Sequence, residues 1–74
     1  MTMIKQGYDG KRFQLINEQG LPVNEGDQVI SFRGETTTVN GGTAPHKESS
    51  TGMVYTDLGG HYAGVYNLQW KELH

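Results

Sequence analysis

The residues best suited to chemistry lie in the segment 41–52, GGTAPHKESSTG. Glycine-rich backbone can turn successive N–H groups toward one point and wrap an anion. His46 and Lys47 would add charge and hydrogen bonds there, and Ser49, Ser50 and Thr51 neutral donors. The order is not that of a phosphate loop, because no G-x-x-x-x-G-K-[ST] phrase occurs in the chain. The plain alternative is a polar loop joining two strands, although structureless loops of this length are often functional. Ser49 and Ser50 beside His46 have the types of a nucleophile and a base. Neighbours in one flexible loop lack the rigid positioning that such a pair requires.

Arg33-Gly34-Glu35 allows a second kind of chemistry. Arg33 can hold a carboxylate or phosphate with two parallel hydrogen bonds. Equally, the three residues suit a hairpin corner whose charges face water or pair with each other. Tyr55, Tyr62 and Tyr66, with Tyr8, suit an aromatic platform for a Pro-rich peptide or a stacked base. Tyrosine is also an ordinary rim residue of a small β domain. The eight acidic residues include no recognisable catalytic phrase, so the chain reads as a non-enzyme. His46, His61 and His74 are too far apart for a helical metal pair, and there is no cysteine. No metal or cofactor is expected.

Composition limits what can position these groups. The chain has 74 residues, with six Lys and Arg against eight Asp and Glu, for a net charge of -2. A chain this short is one domain with a small core. No stretch approaches the roughly 20 apolar residues of a membrane span. The first residues carry a lysine but no apolar h-region, so they do not read as a signal peptide. Without disulfides, a reducing cytoplasm is the expected location, with oligomerisation as an alternative source of stability. The scattered basic residues disfavour a general nucleic-acid binder. The adjacent pair Lys11-Arg12 would point to opposite faces of a strand.

Apolar and β-branched runs predict strands at 12–17, 28–33, 35–40, 52–56 and 68–73. Gly- and Asn-rich turns separate them, among them Asp57-Leu58-Gly59-Gly60. Residues 61–67 suit a short helical turn before the last strand. These elements predict an all-β, five-stranded SH3-like barrel over 11–74, preceded by a loosely held arm at 1–10. Its core would hold Phe13, Leu15, Val23, Val29, Ile30 or Phe32, Val39, Val54, Val65, Leu68 and Trp70.

Several phrases recur together in a family of small uncharacterised proteins encoded by phages and prophages. They are Gly26-Asp27, Phe32-Arg33-Gly34-Glu35, Gly41-Gly42 with Pro45, and Ser50-Thr51-Gly52 with Val54. Tyr62, Val65, Leu68 and Trp70 complete the pattern, and Asn17-Glu18-Gln19-Gly20 with Pro22-Val23 precedes it. The chain resembles that family over most of its length. The resemblance implies a phage origin and an all-β fold, and it brings no established activity.

Three functions are compatible with these residues. The first is a module that binds a host or phage protein through a tyrosine-rich face and the 41–52 loop. The second is an oligomeric binder of a small anionic ligand such as a nucleotide, with Arg33, Lys47 and the Ser/Thr loop on phosphates. The third is nucleic-acid binding by an SH3-like barrel, which the charge disfavours.

Overall fold

β-branched runs and the turns between them divide residues 3–73, which the computed structural model describes, into seven strands. They are β1 (Ile4–Gln6), β2 (Arg12–Ile16), β3 (Gln28–Ile30), β4 (Thr36–Thr43), β5 (Met53–Thr56), β6 (Gly59–Tyr62) and β7 (Gln69–Leu73). Single turns of 3-10 helix, η1 (Tyr8–Gly10) and η2 (Ala63–Tyr66), complete the elements, with η2 inside the segment marked as a helical turn. The strands form two antiparallel sheets, ordered β1-β2-β7 and β3-β4-β5-β6. The protein is therefore all-β, but no strand ladder closes the described residues into a barrel, and seven strands replace the five expected.

Both extra strands arise where local chemistry hides a strand. In the first, Met3 is buried and its carbonyl accepts the Leu15 N–H at 3.2 Å. That anchors Ile4–Gln6 against β2 in the register Ile4 to Gln14. The segment expected as a loose arm thus forms a sheet edge, apart from residues 1 and 2, which lie outside the described residues. In the second, Gly59-Gly60 reads as a turn, yet the turn is only Asp57-Leu58. Gly60 belongs to the strand because the Tyr55 ring lies across it; a Cβ there would sit 2.8 Å from that ring. Glycine in a strand often marks such a close approach.

β3 ends early for a different reason. Ser31 is buried, and its hydroxyl accepts the N–H groups of Arg33 and Glu35 at 3.2 and 3.3 Å. The chain turns there instead of extending to Arg33. Val29 faces inward, and both Ile30 and Phe32 face solvent, so neither joins the core. β4 instead runs longer than expected, past a bulge between Val39 and Gly41 and on to Thr43.

The core lies between the sheets and holds Met3, Phe13, Leu15, Val23, Val29, Val39, Val54, Leu68 and Trp70, with Ala44, Ala63 and Tyr66. Val65 packs against it half-buried. Trp70 joins the halves. It projects from β7 onto Gly42 of β4 and Gly52, which precedes β5, and its indole N–H donates to the Met53 carbonyl at 3.2 Å. A Cβ on Gly42 would lie 2.7 Å from Trp70 Cζ2. One on Gly52 would strike Trp70 Cδ1 and lie 2.8 Å from the Thr43 carbonyl oxygen, at a φ of +76°.

Gly52→Ala should therefore lower stability by about 3 kcal/mol or more, from overpacking added to left-handed strain. Gly64→Ala, which meets nothing within 4 Å, should change it by less than about 1 kcal/mol. Urea denaturation of the two variants beside the parent checks the contrast.

Candidate functional site

Rigid anchors hold both ends of the segment after β4. Ala44 and Pro45 are buried, and the Pro45 carbonyl accepts the Tyr8 N–H at 3.0 Å. At the far end Gly52 is wedged against Trp70, and its N–H donates to Ser50 Oγ at 3.3 Å. Between them the Ser50 N–H donates to the Lys47 carbonyl at 3.0 Å, closing a turn. The 46–49 tip stands exposed on this frame.

The tip meets Tyr62, which is 64% exposed at the end of β6. His46, Lys47, Ser49, Ser50, Thr51 and Tyr62 line one cleft of about 440 Å³. A second cleft, of about 520 Å³, shares Ser50, Thr51 and Tyr62. Its other walls include Tyr8, Phe13, Pro45, Leu68 and Trp70, and Glu48 is the charged side chain among them. The fold thus brings together six of the residues singled out from the sequence. The glycines do not act as expected, however. Gly41 and Gly42 pair with Tyr55 and Val54 in the β4–β5 ladder. They serve packing, not an anion-wrapping loop.

Arg33 and Glu35 lie elsewhere. The Ser31 turn is closed by the Ser31 N–H on the Glu35 carbonyl and the Gly34 N–H on the Ser31 carbonyl, each at 2.9 Å. The Phe32 N–H donates to the Val65 carbonyl at 2.8 Å, fixing the turn to η2. Phe32 is therefore held outward at 69% exposure, beside a cleft of about 420 Å³ that Leu58, Arg33, Glu35, His61 and Tyr66 also line. The Arg33 guanidinium lies 5.5 Å from the Phe32 ring centroid. Among the described residues Arg33 and Glu35 form no ion pair, with each other or elsewhere.

The tyrosines do not form one platform. Tyr66 is 3% exposed, and its hydroxyl shares a buried 3.0 Å hydrogen bond with that of Thr56. Tyr55 lies over Gly60 with its hydroxyl 3.1 Å from that of Thr43. Tyr62 alone of these three joins the loop. Tyr8 packs against Phe13 with ring centroids 5.7 Å apart, and Lys11 Nζ sits 4.8 Å over its ring. The Glu72 carboxylate, 3.6 Å from Lys11, holds that ammonium group above the usual lysine value, and Tyr8 adds to the effect.

The sequence did not indicate that Phe32, Leu58 and His61 line one cleft. Ser31 was the available signal for Phe32, since a serine after an apolar strand run favours a side-chain-closed turn. Among the described residues no three His, Asp or Glu side chains are grouped to hold a metal ion. No helix there is long and apolar enough to cross a membrane. No protein-family model matches the chain, and neither a curated protein nor a solved structure shows significant similarity to it.

Tyr66→Phe should cost about 1 kcal/mol, because it removes a buried hydrogen bond and leaves the Thr56 hydroxyl with the Leu58 N–H alone. Tyr62→Phe, at an exposed ring, should stay within about 0.5 kcal/mol of the parent. Thermal unfolding followed by circular dichroism separates the two.

Proposed function

We propose that this protein is a non-enzymatic binding module that grips an extended segment of a partner protein along the groove beside η2. The observation that carries this reading is Phe32, a large apolar ring held 69% exposed by a turn whose backbone hydrogen bonds are made. Ile30 at 58% and Leu58 at 44% exposure extend the apolar surface. Clustered exposed hydrophobics with a polar rim mark interaction sites, and rigid aromatic anchors dominate their energetics. Tyr66 lines both the Phe32 cleft and an adjoining cleft of about 490 Å³ bounded by Glu18, Pro22, Asp27 and Ile30. Arg33 and Glu35 at one end and Glu18 and Asp27 at the other offer charges for orienting a peptide.

An SH3-like arrangement is the finer reading of the fold. β2, β3, β4, β5 and β7 with η2 would form its frame, and β1 and β6 would be additions. The groove then lies between the 17–27 loop, the Ser31 turn and the 3-10 helix. The resemblance read from the sequence, with no family match beside it, is the basis on which a host or phage protein in the cytoplasm is the proposed partner.

A photo-crosslinking amino acid in place of Phe32, expressed in the native host, should trap a discrete polypeptide. The same group at Gln19, an exposed position on the opposite flank of the groove, should trap that polypeptide too. At Gln69, outside the groove, it should not. Equal labelling at all three positions, or none at Phe32, contradicts the reading.

A further inference from the structure

The two clefts that meet at Tyr62 differ in chemistry in a way that selects one kind of molecule. One wall is aromatic and apolar, with the exposed ring of Tyr62, half-buried Tyr8 and the edges of buried Leu68 and Trp70. The other carries His46, Lys47 and Ser49, and the hydroxyls of Ser50 and Thr51 lie on the boundary. We propose that this double cleft binds a nucleoside monophosphate, with its base against the aromatic wall and its phosphate on the 46–51 loop.

A bare inorganic anion would leave the aromatic cleft unused. A purely apolar ligand would leave the Lys47 ammonium group and the Ser49 and Thr51 hydroxyls without a role. A planar base bearing a phosphate satisfies both sides at once. Lys47 is available for it, since among the described residues it forms no ion pair. Glu48 fixes the orientation. Glu48 lines the aromatic cleft and not the other, so a carboxylate there would repel phosphate and could accept hydrogen bonds from ribose hydroxyls or a base amine. The volumes, about 520 and 440 Å³, fall within the range of small-ligand sites. Stacking tolerates any base, so the geometry selects the class and not a particular nucleotide. A polymer is disfavoured because one lysine neutralises few phosphates. The Phe32 cleft shares no lining residue with either of these, and the adjoining 490 Å³ cleft shares Leu68 with the aromatic one.

Trp70 is the single tryptophan and lines the aromatic cleft, so its fluorescence reads the site directly. AMP, GMP, CMP and UMP should be titrated singly up to about 10 mM, an upper limit for a weak small-ligand site. At least one should saturate the Trp70 signal, and more tightly than its nucleoside or inorganic phosphate alone. Lys47→Gln should weaken that nucleotide about tenfold through a lost charge-assisted bond and leave the nucleoside unchanged. Tyr62→Ala should weaken both. The two positions are exposed, and unchanged melting temperatures would show that the variants fold. No response to any of the four, or parent-like binding by both variants, overturns the proposal. Much tighter, steeply salt-dependent binding of a single-stranded tetranucleotide also overturns it, in favour of a polymer site.

Discussion

Trp70 rests in a slot that exists because two residues have no side chain. Gly42 and Gly52 bring the backbone of the four-stranded sheet to within contact of the indole, and the Met53 carbonyl takes its N–H at 3.2 Å. A domain of this size has few large side chains to bury. One tryptophan spanning both sheets therefore supplies much of the surface that joins them. Leu15, directly opposite Trp70 in the β2–β7 ladder, continues the same layer and is fully buried. The short β1 strand then closes the far side through Met3.

The exposed features follow from that joint. Because Gly52 must lie against Trp70, the loop before it is anchored within a few residues of its tip. The His46–Ser49 tip therefore has a fixed base despite its exposure. The Ser31 turn is fixed separately, by its own hydroxyl and by the Val65 carbonyl. Two candidate surfaces thus occupy one small fold, one on the closed Ser31 turn and one on a loop pinned at both ends. Such preorganisation reduces the ordering cost of binding.

Strand positions were largely legible in the sequence, because β-branched runs such as Thr36-Thr37-Thr38-Val39 have few other uses. The glycines were not. Gly41, Gly42 and Gly60 carry the local signal of a turn or an anion loop, and only the tertiary partners Trp70 and Tyr55 show that they are strand residues under rings. The loop residues His46 to Thr51 were legible as a group by composition, and Tyr62 joins them through the β5–β6 pairing of Met53 with Tyr62. Tyr66 was misread as a surface ring because nothing in a single sequence pairs its hydroxyl with Thr56. Ile30 and Phe32 were misread as core candidates for the same reason, since apolar type outweighed the one serine between them.

The Trp70 slot makes the two sheets one cooperative unit. Native-state hydrogen exchange across low denaturant concentrations tests it most directly, because it resolves the opening of each strand separately. The slowest amides of β2 and β7 and those of β4 and β5 should share one opening free energy, equal to that of global unfolding. Earlier opening of the β1-β2-β7 sheet, with the four-stranded sheet still protected, would contradict it.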